Sequence, residues 1–159
     1  MNEKTRLSTQ AELKVQGCTN LKLRQLMRRV AHHYDLEMAK AGLKTTQYSL
    51  LSFVLRGPIR PGELARDMKM SASTLTRNLK PLIDAGWIEL TAGSDARSRT
   101  VVLTAEGRAK RDEARVRWKA AQEQLNALLG AERVLALHTL VNESLEILSP
   151  IESDRKSVV

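Results

Sequence analysis

The run PGELARDMKMSASTLTRNLKPLIDAG, residues 61–86, decides the architecture. It reads as two short helices joined by a tight turn. Pro61 suits a first helical turn, because the N–H it lacks would have no partner there and its φ is already helical. Leu64, Ala65 and Met68 make a short apolar stripe, and Lys69-Met70 leaves room only for a turn. Ser71 is a good N-cap for a second helix reaching about Ala85, and Gly86 stops it. Within that helix Leu75, Leu79, Leu82 and Ile83 share one side, at the spacing of a core stripe. Ser73, Arg77, Lys80 and Asp84 share the other, with Thr74 and Thr76 on the flanks. This is the pattern of a helix-turn-helix whose second helix shows hydroxyls and cations outward and no apolar group. Pro81 cannot donate to the Arg77 carbonyl and is expected to bend the helix beyond its outward hydroxyls.

The texture then changes. Trp87 to Leu90 and Thr100 to Val101-Val102-Leu103 read as short strands around a polar loop, Thr91 to Arg99, so they form a hairpin. The loop is too long for a two-residue turn, so its tip should project. That tip carries Asp95, Arg97 and Arg99. A guanidinium on a projecting tip suits a narrow, negative minor groove, and Asp95 would orient Arg97 by an ion pair. On the helix, Arg77 can make a bidentate contact to guanine, while hydroxyls reach phosphates or either type of base. The helix N-terminus at Ser71 favours phosphate as well. Charge is biased the same way: Arg56, Arg60, Arg66, Lys69, Arg77 and Lys80 face only Glu63 and Asp67 in that stretch.

Outward from this centre the chain reads as helices. Leu23, Leu26, Val30, Tyr34 and Met38 share a face from about Thr19 to Ala41, and Gly42 ends that helix. Thr45 suits the N-cap of a helix to Leu55, broken by Gly57-Pro58. After the hairpin, Thr104 caps a helix to Leu129, with Glu106 in its first turn. Gly130 interrupts, and a last helix runs from about Ala131 to Leu148, stopping before Pro150. Met1 to Gln10 lacks periodicity, and the tail 151–159 reads as loose. The expectation is one domain over 1–159. It is mainly α with a small β-hairpin wing, a winged helix-turn-helix at about 45–104 between dimerisation helices at about 11–42 and 105–149. The end helices carry more apolar surface than so small a core can cover, which points to a second copy.

Composition narrows the function. The formal net charge is +8 over 159 residues, so polyanions are attracted before any detail is considered. Aromatics are only 3%, so aliphatic side chains fill the core, which suits packed helices. No signal peptide or membrane span is visible, and the basic segments need their apolar stripes for the core, so no membrane partner is expected. Cys18 is the one cysteine, which rules out an intrachain disulfide and suggests a reduced, cytoplasmic protein. Adjacent His32 and His33 point to different sides of a helix, so no metal is expected; no cofactor is expected either. Phosphate loop, nucleophile elbow and zinc motif are all absent, which argues against an enzyme. The alternative is a winged-helix module that binds protein, which should show apolar anchors on the outward helix face.

The run from Ser71 to Gly107 resembles the DNA-binding core of the MarR family of bacterial regulators. Asp95-Ala96-Arg97, then Leu103-Thr104 and Gly107, match its wing and the start of the following helix. Thr76-Arg77 to Leu82 and Ala85-Gly86-Trp87-Ile88 match its recognition helix and exit. The resemblance implies a triangular homodimer on a palindromic operator in double-stranded DNA, more often a repressor than an activator. It implies Arg97 in the minor groove with Asp95 as its partner, and Ser73, Thr74, Thr76 and Arg77 in the major groove or on its phosphates. It also implies a small, often aromatic, effector between the dimer helices and the DNA-binding lobe, near His33, Met38, Tyr48 and Phe53. Some relatives sense oxidants through a cysteine near the start of the first long helix, which makes Cys18 a redox candidate.

Overall fold

The computed structural model describes residues 16–93 and 98–154, with side chains described to 149. Asp95, Arg97, the N-terminal arm to residue 15 and the last five residues lie outside the described residues. The chain order is α1 (Thr19–Ala39), α2 (Thr45–Val54), α3 (Pro61–Asp67), α4 (Ala72–Asp84), β1 (Ile88–Ala92), β2 (Arg99–Leu103), α5 (Ala105–Leu129) and α6 (Ala131–Asp154). It is a mainly helical winged helix-turn-helix. β1 and β2 pair antiparallel, with Ile88 opposite Leu103 and Leu90 opposite Val101.

The core sits where α2, α3, α4 and the hairpin meet. Leu50, Leu51, Val54, Leu64, Leu75 and Leu82 are fully buried or nearly so, together with Ile88 and Val101. The apolar side of α4 is therefore the inner one, as its spacing requires. Pro81 lies inside α4, which runs on unbroken to Asp84. Ile59, in the linker before α3, exchanges hydrogen bonds with Val101 at 3.2 and 2.8 Å. That bridge adds a third edge to the hairpin. A single bridging residue after Gly57-Pro58 has no periodicity, so the sequence reads it only as a break.

Two helix ends differ from expectation. Thr45 is the first residue of α2 and not its cap. Its N–H and hydroxyl both donate to Asp35 Oδ1 of α1, at 3.0 and 2.6 Å. A carboxylate from another helix caps α2, and local spacing cannot reveal a partner ten residues away. At the other end, α6 continues through Pro150 to Asp154, so the first four residues of the tail read as loose are helical. Gly42, with φ +68°, and Gly130, with φ +82°, end α1 and α5 in conformations glycine adopts without strain.

The exit of α4 is fastened to the start of α5. The Thr104 hydroxyl donates to the Gly86 carbonyl at 2.7 Å and accepts from Gly107 N–H at 2.9 Å. Thr104 N–H donates to the Trp87 carbonyl at 3.1 Å. A Cβ added at Gly107 would overlap that carbonyl, lying 2.8 Å from its carbon and 2.9 Å from Leu103 Cδ1. Backbone passes here so closely that only glycine fits.

Farther along, α5 packs on α1 through polar contacts. His33 Nε2 lies 2.9 Å from the Ala121 carbonyl oxygen. Tyr34 donates its hydroxyl proton to Gln122, and burial raises the phenol's pKa. Glu37 is 7% exposed and accepts from Lys40 and Gln124. The hydrogen bond from Lys40, followed by that from Gln124, holds its carboxyl below the ordinary glutamate value.

Apolar side chains stay uncovered on the outer helices. On α1, Leu23 and Met27 are 54% and 64% exposed; on α6, Leu140, Leu145 and Ile147 are 62%, 63% and 75% exposed.

Two outcomes follow. Gly107→Ala should cost about 3 kcal/mol, because neither carbonyl nor helix start can move freely; urea unfolding at fixed protein concentration measures it. Folding lowers the pKa of Glu37, so its contribution is present above the ordinary glutamate range near about pH 4.3 and is lost as pH falls below it. Glu37→Gln should therefore flatten the fall in melting temperature on the acid side.

Candidate nucleic-acid interface

The recognition surface begins at the cap of α4. Ser71 Oγ accepts from Thr74 N–H at 3.2 Å. The same oxygen lies 2.9 Å from Thr74 Oγ1 and 3.1 Å from Ser73 Oγ. Three hydroxyls thus form one cluster at the entrance of the helix. Thr76 donates to the Ala72 carbonyl at 2.9 Å, which leaves its oxygen as an acceptor. Ser71, Ser73, Thr76, Arg77 and Lys80 are exposed, and Thr74 is half-buried. The outward face read from the sequence is therefore the solvent face of the folded chain.

The two cations on that face differ. Arg77 makes no hydrogen bond or ion pair among the described residues, so its five donors are open. Lys80 Nζ is 2.8 Å from Asp84 Oδ2, one turn on. The pairing is visible in the i, i+4 spacing, but spacing alone shows only that both face outward. Beside α4 runs a groove of about 310 Å³, walled by Thr76, Lys80, Pro61, Gly62, Ile83 and Leu90. It places the start of α3 and the wing strand on the flank of α4.

The wing extends the same surface. Arg99 is exposed on β2, opposite Ala92. Below the strands Gly93 N–H donates to the Ser98 carbonyl at 2.8 Å. A Cβ at Gly93 would overlap the Ser98 side chain, which keeps the closure narrow. The residues between them, Asp95 and Arg97 included, lie outside the described residues.

The four residues placed at an effector pocket do not converge. Met38 is wholly buried in the core, and His33 is engaged with α5. Tyr48 and Phe53 do line one cavity, of about 410 Å³, together with Ser52, Arg56, Arg111 and Arg115. Arg111 Nε donates to Ser52 Oγ at 3.3 Å, and its guanidinium lies 5.9 Å from the Tyr48 ring centre. Arg56 lies 5.0 Å over the Phe53 ring. Trp118 of α5 stacks on Tyr48 of α2 with ring centres 6.1 Å apart. Arg111 and Arg115 escaped the sequence reading because α5 is charged all along and only the contact with α2 singles them out. Cys18 is exposed and free, at the N-cap position of α1, with no side-chain capping bond.

Fold and site together define a winged helix-turn-helix protein with a polar, cationic outer face on α4. Residues 41–98 match the MarR family. The HTH-type transcriptional regulator YwoH of Bacillus subtilis is 33% identical over 107 residues, 66% of this chain and 77% of that protein. The M. tuberculosis regulator MosR, solved in complex with DNA, is 30% identical with a TM-score of 0.66, over 80% of this chain and 98% of that one. A probable transcriptional regulator from Pseudomonas aeruginosa is 26% identical with a TM-score of 0.73, over 79% of this chain and 95% of that one. The chain belongs to the MarR family.

Removing the cap should be felt locally. Ser71→Ala leaves Thr74 N–H without its acceptor and should cost about 1 kcal/mol, read from the urea midpoint; Ser71→Asp, which can cap, should restore it.

Proposed function

We propose that the chain is a sequence-specific DNA-binding repressor that sits as a homodimer on a palindromic operator in the cytoplasm. The observation that carries this is the outer edge of α4, where Arg77, unpaired among the described residues, stands by clustered hydroxyls beside a wing that carries Arg99. Arg77 suits a guanine edge, the hydroxyls suit bases and phosphates, and Arg97 with Asp95 suits the adjoining minor groove. The +8 net charge supplies general attraction to the duplex. Bare apolar faces on α1 and α6 favour a second copy of the chain, since side chains such as Met27 and Leu145 are mostly uncovered by the described residues. A two-fold dimer presents two α4 helices, and its operator then repeats with the same symmetry. Repression needs no more than a dimer covering a promoter.

Release is assigned to a small molecule. The α2–α5 cavity offers aromatic walls and three arginines, which favours an aromatic anion. The exposed thiol of Cys18 offers oxidation as a second route. A cytoplasmic setting agrees with a DNA partner and with described helices too short or too polar to cross a membrane.

The test is fluorescence anisotropy on the DNA upstream of the protein's own gene, against a random duplex, over a range of salt. Tight binding to the upstream duplex alone, weakening steeply with salt, is expected. Arg77→Ala should cost about 1–3 kcal/mol there and relax the sequence preference. No binding to either duplex at low salt would overturn the proposal and leave a protein partner as the reading of this surface.

A further inference from the structure

The acid at the end of the recognition helix has no stabilising purpose of its own. Asp84 is the last residue of α4, where the carbonyl ends of the helix already concentrate negative charge. No basic residue shares that last turn to offset it. Among the described residues its ion-pair partner is Lys80, and both side chains are open to water, Lys80 74% and Asp84 61% exposed. Such a pair adds little to a helix, and least when the cation precedes the anion. The carboxylate also stands on the solvent edge of α4 with the DNA-facing cations, where it repels phosphate. Helix stability and duplex attraction would both be served by a neutral residue here.

What the carboxylate does is hold one cation and leave the other open. Arg77 is free for a base edge, while the Lys80 ammonium is neutralised at 2.8 Å. We infer that Asp84 is a positioning residue that keeps Lys80 from binding any passing duplex. Random DNA is held by charge alone, so removing one cation from that contact weakens it directly. On a matched sequence α4 seats fully, and Lys80 exchanges Asp84 for a backbone phosphate. Asp84 thereby sharpens discrimination by suppressing the non-specific state. The inference rests on the DNA-binding reading and concerns a residue outside the base-reading set.

The experiment compares the wild-type protein, Asp84→Asn, Lys80→Ala and the double variant. The probes are a random duplex and a duplex selected by the wild-type protein from a randomised pool. Asp84→Asn is nearly isosteric and relieves the helix end, so its melting temperature should not fall. Its affinity for the random duplex should rise about three- to tenfold, with a salt slope steeper by about 0.9, the share of one phosphate contact. Affinity for the selected duplex should rise less, so the ratio between the two falls. In the Lys80→Ala background the same substitution should raise random-duplex affinity clearly less, because only the carboxylate's own repulsion of phosphate is then removed. An unchanged random-duplex affinity, an equal rise on both duplexes, or a rise just as large without Lys80 would each overturn the inference. A pool that yields no preferred sequence would instead count against the repressor reading, while the random-duplex arm still decides whether Asp84 acts through Lys80.

Discussion

The close passage of Gly107 under the Trp87 carbonyl is the contact on which the rest of the molecule depends. The link from α4 to β1, the side chain of Leu103 at the end of β2 and the first turn of α5 meet there. The Thr104 hydroxyl spends its proton on Gly86 and a lone pair on Gly107, so the junction is hydrogen-bonded on both sides. The direction of α4 is thereby tied to that of α5. A side chain at 107 would force the two apart, and the outer edge of α4 would lose its bearing relative to the wing. The Leu-Thr-x-x-Gly pattern is best understood as this junction, with threonine as the double-ended clasp and glycine as the clearance.

On that frame the surface separates by chemistry. The inner side of α4 is aliphatic and buried by α2, α3 and the hairpin. The outer side is mostly polar, and its polar groups differ in how far they are already satisfied. Hydroxyls bond to one another or to the backbone, Lys80 is paired, and Arg77 is open. An exposed, unpaired group gives up only water when it meets a base edge, whereas a paired one must also give up its partner. Specific contact therefore favours Arg77, and the rest of the edge tunes the strength of attraction.

Much of this was legible in the sequence because it rests on local patterns. Ser71 followed by leucines at three- and four-residue spacing, and glycine at 86, place α4 and its two faces correctly. Thr104, Glu106 and Gly107 do the same for the start of α5. What was not legible depends on partners distant in the chain. Asp35 capping α2, Ile59 bridging to Val101, and Trp118 stacking on Tyr48 leave no periodic trace. The effector residues show the same limit. The family resemblance places Met38 and His33 by position alone, and position does not say which neighbour each side chain meets on a helix that faces several.

The junction also bears on how a bound molecule can influence α4. Arg111 and Trp118 of the arginine-lined cavity stand on α5, within about four turns of Gly107, and the opposite wall is α2. Helix α2 packs directly on α4, and α5 is fastened to it through Thr104. A ligand that wedges the two walls apart strains both routes at once, because neither the buried α2–α4 contact nor the Gly107 passage has slack to absorb it. Moving α4 and the wing together would relieve that strain. In the proposed two-fold dimer such a motion would alter the spacing of the two recognition helices, and a palindrome of fixed spacing would no longer fit both. The tight packing that fixes the reading surface is thus what would make it respond to a small molecule bound elsewhere.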